Sequence, residues 1–212
     1  MANCKTEEER RKTEELIRPI LRGRDIKRYG YEWAELWLIN THNGVKGRIP
    51  RIRIEDYPAV KAHLDQFWDK IKDRADQGDT PYNLRNCAYL EDFSKPKIVY
   101  PETTQGAYFA FDNSGIMLDK TCFMLISEDA VYIQRTLSSK LFEFAYKTIF
   151  SSVELGKSGY QYNKHALVKL PILLPNPAEQ KMVVECSINT LDNMIYSLYN
   201  LENEEVCYIN EY

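Results

Sequence analysis

The clearest hydrophobic repeat lies near the C-terminus, where Val184, Ile188, Leu191, Ile195 and Leu198 recur at alternating intervals of four and three residues. That spacing forms one stripe along a helix and matches heptad a and d positions over little more than two repeats. It predicts a helix from Ala178 to about Glu205, roughly 40 Å long at 1.5 Å per residue. Pro171, Pro175 and Pro177 precede it and break regular structure. A second helical repeat, Val60, Leu64, Phe67 and Ile71, predicts an amphipathic helix that Gly78 can terminate. At the other end of the chain, Thr6-Glu7-Glu8-Glu9 has the form of a capping box, ahead of a polar helix closed by Ile17, Ile20 and Leu21.

Strand patterns stand between these helices. Tyr31 to Asn40 is rich in aromatic and aliphatic residues, and Trp33, Trp37 and Ile39 fall on one face of a period-two repeat. Gly44 and Gly47 mark residues 42–48 as a loop. After it, Arg48, Arg51 and Arg53 are interleaved with Ile49, Ile52 and Ile54, so a strand here would put the arginines on an exposed face. Three apolar segments, Lys97 to Tyr100, Ala107 to Phe111 and Thr121 to Ile126, read as neighbouring strands of one sheet, with a turn at Asp112-Asn113-Ser114-Gly115. Val131 to Leu137 and Lys140 to Ile149 return to helical spacing. The expected fold is therefore α+β: a mixed sheet flanked by helices, with a long coiled-coil-like helix at the C-terminus. The boundary is expected between a domain of residues 1–175 and a spacer or association helix of residues 176–212.

With 212 residues, 44% of them hydrophobic, the chain can bury one good core or a core with an appendage. No apolar run approaches the ~18 residues of a membrane span, and Met1 to Arg11 is charged where a signal peptide would turn apolar. The expectation is a cytoplasmic protein without a membrane partner. Cys4, Cys87, Cys122, Cys186 and Cys207 include no Cys-x-x-Cys, and His42, His63 and His165 are scattered, so neither a disulfide framework nor a metal site is expected.

The formal net charge of −3 hides an asymmetry. Residues 18–53 hold nine basic and three acidic side chains, a local +6, whereas residues 176–212 hold one lysine and seven acids, a local −6. A basic face matters more to a polyanion than the whole-chain sum. Its densest part is Leu21 to Tyr29, with Arg22, Arg24, Lys27 and Arg28 around Gly23 and Asp25. Gly23 permits a turn that splays guanidinium forks towards phosphate or guanine. The alternative is a solvated connection in which Arg22 or Arg24 pairs with Asp25. Asn83, Arg85 and Asn86 carry groups that can read adenine or guanine edges. The stretch Gly156-Lys157-Ser158 lacks the first glycine of a phosphate-binding loop, since Ser151 stands there. Lys157 and Tyr160 could instead meet a DNA phosphate, or the segment is an ordinary loop.

Several blocks carry a resemblance. Leu21 to Ile26, Trp33, Trp37-Leu38-Ile39, Tyr57 to Leu64, Thr80 to Arg85 and Lys95 to Tyr100 together resemble the TaqI-like specificity domain. That family supplies the target-recognition module of adenine-N6 DNA methyltransferases and of combined, type II restriction-modification enzymes. Leu170-Pro171-Ile172 through Pro175 to Gln180 is similar to the segment leading into the spacer helix of type I specificity subunits. The resemblance implies sequence-specific recognition of double-stranded DNA; it does not assign individual roles, and it is their charge and clustering that make Arg22, Arg24, Lys27, Arg28, Arg48, Arg51 and Arg53 the candidates for the DNA-facing surface.

The family's catalytic partners need a glycine motif for the methyl donor and an (Asp/Asn/Ser)-Pro-Pro-aromatic motif, and this chain has neither. Asn176-Pro177-Ala178 lacks the second proline and the aromatic, and Glu91-Asp92-Phe93-Ser94-Lys95 has the wrong spacing for a metal-dependent nuclease. The chain is expected to be non-catalytic and to hold no cofactor. S-adenosylmethionine, with magnesium as a further candidate, would belong to a methyltransferase or nuclease partner in cis or in trans. Self-association through the C-terminal helix is a further expectation. The competing readings are a protein-interaction scaffold acting through that helix and, behind it, a small enzyme of unrecognised type.

Overall fold

The computed structural model describes residues 4–150, 154–155 and 159–212. In chain order its elements are α1 (Glu7–Leu16), β1 (Ile17–Leu21), β2 (Ile26–Lys27), β3 (Gly30–Tyr31), β4 (Trp37–Ile39), α2 (Pro58–Asp65) and α3 (Trp68–Ile71). There follow β5 (Lys97–Pro101), β6 (Thr103–Thr104), β7 (Ala110–Asp112), β8 (Met117–Leu118), β9 (Cys122–Leu125), α4 (Ala130–Leu137) and α5 (Lys140–Ile149). The last are β10 (Glu154–Leu155), β11 (Gly159–Gln161), α6 (Lys164–Leu167), α7 (Pro177–Glu185), α8 (Ile188–Leu198) and α9 (Asn203–Glu211). The class is α+β, built on several small sheets instead of one. Two compact units are present: residues 1–20 with 35–93, and residues 21–34 with 94–212. This division does not coincide with the boundary expected near residue 175.

In the first unit, α1 begins as its sequence predicts. Thr6 accepts a hydrogen bond from the Glu9 amide at 3.1 Å, while the Glu9 carboxylate accepts from the Lys5 amide at 2.7 Å. β1 pairs antiparallel with β4 in the register Ile17↔Ile39, Arg18↔Leu38 and Pro19↔Trp37. A small core gathers Leu16, Ile54 and Val60, with Ile39, Ile52, Tyr57, Leu64 and Tyr82 packed around them. Three expectations are corrected here. The run from Tyr31 to Asn40 is not one strand: only residues 37–39 pair in β4, and Glu35 adopts a left-handed φ of 56°. The 60–71 repeat is divided into α2 and α3, leaving Phe67 exposed at the break, and Gly78 terminates neither helix. Residues 48–53 form no strand; Arg48, Arg51 and Arg53 are exposed, as the alternation implied, but on an irregular segment.

The second unit is organised on β5, whose residues are all buried. It lies between β7 and β9 in an antiparallel sheet of order β7-β5-β9, so the three predicted segments are indeed neighbours. Alternation divides its side chains between two cores: Ile98 and Tyr100 join Phe109, Phe142, Tyr146, Tyr160 and Tyr162, while Val99 joins Leu21, Ile26, Ala110 and Cys122. Lys97 stands directly opposite Asp112 across β5 and β7. Both side chains are fully buried, with Nζ 2.5 Å from Oδ2. The other Asp112 oxygen accepts from the Tyr31 hydroxyl at 2.8 Å and the Ser114 hydroxyl at 2.6 Å. Burial pushes the Asp112 carboxyl up, but the hydrogen bonds from Lys97, Ser114 and Tyr31 outweigh it and hold the group below its ordinary value.

The C-terminal stretch is three helices, which corrects the expected long coiled-coil-like helix. α7 ends at Cys186, whose ψ of 155° is extended, and Ser187 starts α8 from another extended residue. Arg135 fixes this break by donating from Nε to the Val183 carbonyl at 2.9 Å and from Nη2 to the Cys186 carbonyl. α8 ends with Asn200 at φ 53°, where the Leu201 amide reaches back to the Tyr196 carbonyl at 3.0 Å. Leu191 and Ile195 are completely buried, with Val183 and Tyr132, in a core of the second unit. The centre of the heptad-like stripe, Leu191 and Ile195, therefore packs on its own unit, while Ile188 is 54% exposed.

Two outcomes follow. Lys97→Met should lower the free energy of unfolding by about 3–5 kcal/mol at neutral pH, because Asp112 is left buried without its cation. Since the folded Asp112 pKa is depressed, its contribution is present above the unfolded carboxylate value of about 3.9 and is lost as pH falls through the folded one. Urea melts of the two proteins should accordingly converge as the pH is lowered. Leu191→Glu should abolish the cooperative thermal transition of the second unit, whereas an interhelical seam would give a folded monomer.

Candidate nucleic-acid interface

The first unit contains an open basin of about 660 Å³ whose wall is formed by residues 43–51 together with Asp79 and Asn86. Its 45–49 segment is a tight turn: Val45 and Ile49 bridge antiparallel, and the Arg48 amide donates to the Val45 carbonyl at 2.9 Å. Gly47 at the tip has φ 77°, and Gly44 has φ 73° with the Ile49 carbonyl 2.4 Å from where a Cβ would stand, so neither position accepts a side chain without strain. The turn presents Lys46 and Arg48 to solvent. Arg48 is braced by Glu91 at 2.5 Å and by the Ala88 carbonyl at 3.2 Å, while Arg51 donates to Asp79 at 3.1 Å. Asn43 donates to both Asp79 Oδ1, at 2.9 Å, and Asn86 Oδ1, at 2.6 Å, and accepts from the Asp79 amide at 2.9 Å.

Asn83 holds this basin together from beneath. It is 2% exposed, which corrects its assignment as a base-reading side chain. Its Nδ2 donates to the Ile52 carbonyl at 2.9 Å, with the Thr41 and His42 carbonyls at 3.4 and 3.5 Å, and its Oδ1 accepts from the Thr80 hydroxyl at 2.7 Å. The Asn83 carbonyl in turn accepts from Arg74 at 2.5 Å and from the Gly78 amide at 2.9 Å. Arg85 and Asn86, immediately after it, are exposed; Arg85 lies 3.9 Å from Asp76.

In the second unit the arginine turn is differently arranged from the splayed forks expected of it. Arg22 grips Asp25 with two bonds, Nε to Oδ2 at 2.8 Å and Nη2 to Oδ1 at 2.7 Å, and its backbone amide adds a third at 3.1 Å. The Arg22 hydrogen bond holds the Asp25 carboxyl below its ordinary value against the opposing effect of burial. Gly23 is required by proximity, because a Cβ would lie 2.6 Å from the Thr121 carbonyl oxygen, and its φ is not left-handed. Arg28 donates twice to the Ser138 carbonyl, at 2.9 and 2.6 Å, closing the end of α4. Arg22 and Arg28 are thus committed to the fold, while Arg24 and Lys27 remain exposed. Tyr160 is 2% exposed, with its hydroxyl 3.1 Å from that of Tyr162, and burial pushes its ionisation well up; it offers no face to a phosphate. Lys157 lies outside the described residues.

The family model described as the TaqI-like C-terminal specificity domain matches residues 18–172. The chain belongs to this family. The match covers the whole basin and the arginine turn and ends before α7. Membership marks the chain as a specificity module of the DNA methyltransferase type. Asn176, the nearest approach to an adenine-holding motif, caps α7 by accepting from the amides of Ala178 and Glu179 at 3.0 and 3.1 Å. Among the described residues, no group of three His, Cys, Asp or Glu side chains is arranged to hold a metal ion, and no helix is long and apolar enough to cross a membrane.

Sequence inspection missed Asn43, Asp79 and Lys46 as components of the basin. The signals were the turn-forming pairs Asn43-Gly44 and Asp79-Thr80, whose side chains bond across 36 residues. Asn83→Ala should cost about 1–3 kcal/mol, since it takes the donor from the Ile52 carbonyl and the acceptor from the Thr80 hydroxyl. Urea unfolding will measure this, and a loss below about 0.5 kcal/mol would show that the amide does not hold the loops together.

Proposed function

We propose that the chain is the DNA target-recognition module of a methyltransferase or restriction-modification assembly whose catalysis is supplied elsewhere in the polypeptide or by another chain. The observation that carries this is the combination of family membership with an open basin bearing Lys46, Arg48 and Arg51. Lys46 and Arg53 are exposed, on an irregular backbone held by buried hydrogen bonds. Such cations release counterions when they meet phosphates, and this sequence-independent attraction positions a duplex for reading. S-adenosylmethionine and any catalytic metal belong to the partner in this reading. A scaffold working through a C-terminal helical seam is less well supported, because Leu191 and Ile195 are buried in their own unit.

The test is duplex binding as a function of salt. Replacing Lys46 and Arg53 together with glutamate should weaken binding to unrelated duplexes alike and reduce the slope of log affinity against log salt by about two. An unchanged slope with an intact fold would remove both residues from the DNA surface. Absence of any salt-dependent binding by the unaltered chain would defeat the proposed function itself.

A further inference from the structure

The basin contains a carboxylate where phosphate binding alone would disfavour one. Asp79 is exposed, yet it is placed by three contacts: Oδ1 accepts from Asn43, Oδ2 accepts from Arg51, and its amide donates back to Asn43. The same Asn43 amide donates to Asn86, so Arg51 and Asn86 are tied through one acid. The frame behind them is tightly built. At Gly78, next to Asp79, an added Cβ would stand 2.6 Å from both Asn43 Oδ1 and the Leu84 carbonyl, which keeps this segment against the 43–51 wall. Arg51 uses one N–H of its five-donor fork on Asp79, and Asn86 accepts through Oδ1 while its Nδ2 donors remain for another partner.

We propose that Asp79 is a specificity-determining positioning residue, which holds the Arg51 guanidinium and, through Asn43, the Asn86 amide in fixed orientation towards purine edges in the major groove. The inference rests on the DNA-recognition reading and extends it to particular groups. A flexible arginine meets phosphates and bases indiscriminately, whereas one anchored by a carboxylate holds the plane of its remaining donors in one orientation, as pairing with the O6 and N7 acceptors of guanine requires. A side-chain amide held on its oxygen similarly directs its NH₂ donors towards a purine N7. The carboxylate is repelled by phosphate, so it weakens non-specific attraction while fixing the readers; its two effects have opposite signs on the two kinds of binding.

That opposition gives the experiment. The preferred duplex is first selected from a randomised pool with the unaltered chain. Affinity is then measured for that duplex and for a scrambled duplex of equal length and composition, using the full chain and its Asp79→Asn and Asn43→Ala variants. Asp79→Asn should reduce the ratio of the two affinities by about tenfold or more while leaving scrambled binding equal or tighter. Asn43→Ala should reduce the ratio in the same way. Thermal midpoints are recorded alongside, and Asp79→Ala replaces Asp79→Asn if the latter is unfolded. A ratio unchanged in a folded variant overturns the inference and leaves the DNA-recognition reading standing. An unaltered chain that binds salt-dependently but selects no sequence overturns it as well, and one that binds no DNA overturns both.

Discussion

A buried amide carries the first unit. Residues 40–57 and 72–93 contain no β-structure beyond isolated bridges, and the helices nearby are short, so backbone ladders cannot fix these loops. Asn83 does it instead, by donating to carbonyls on the 41–52 side and accepting from Thr80 on its own side, while its own carbonyl receives Arg74 and Gly78. In a low-dielectric setting every one of these groups would be costly to leave unpaired, and this makes the arrangement specific. The basin above it can therefore be irregular in backbone and still hold Arg48, Arg51 and Asn86 in defined places.

The second unit solves a different problem with charge. β5 is buried on both faces, and its first residue is a lysine that no solvent reaches. The pairing with Asp112 works because the partner lies directly across the ladder and because Tyr31 and Ser114 occupy the remaining oxygen. Tyr31 comes from β3, so the pair also secures the 21–34 segment to the sheet. Arg28 and Arg135 act alike at the ends of α4 and α7, where unbonded carbonyls collect and a guanidinium can offer two donors at once. These arginines stabilise helix ends instead of presenting charge to a partner.

The elements that sequence revealed are those set by local chemistry. The capped start of α1, the three strands of the β7-β5-β9 sheet, and the spans of α4 and α5 all follow from periodicity and turn residues. The C-terminal stripe was legible as helical, but its breaks were not, since Arg135 imposes one of them from 51 residues away. The same limit applied to the candidate surface. Arg22 and Arg24 look equivalent in sequence, and only the bidentate contact with Asp25 separates the structural one from the exposed one. Asn83 and Asn86 differ likewise: one faces carbonyls and the other faces solvent, a distinction decided by contacts made more than 30 residues away.

The division of the chain has a bearing on inheritance. Residues 35–93 enter the first unit as one uninterrupted insert, joined to residues 1–20 largely through the β1–β4 ladder and the small core around Leu16. Ladder hydrogen bonds involve main-chain atoms and tolerate many side chains. A recombination event that replaced the insert would need to conserve little more than the β4 register and an apolar cluster, here Ile54 and Val60, to meet Leu16. The basin could then be exchanged wholesale between genes, with β5 and its buried lysine left untouched in the receiving chain.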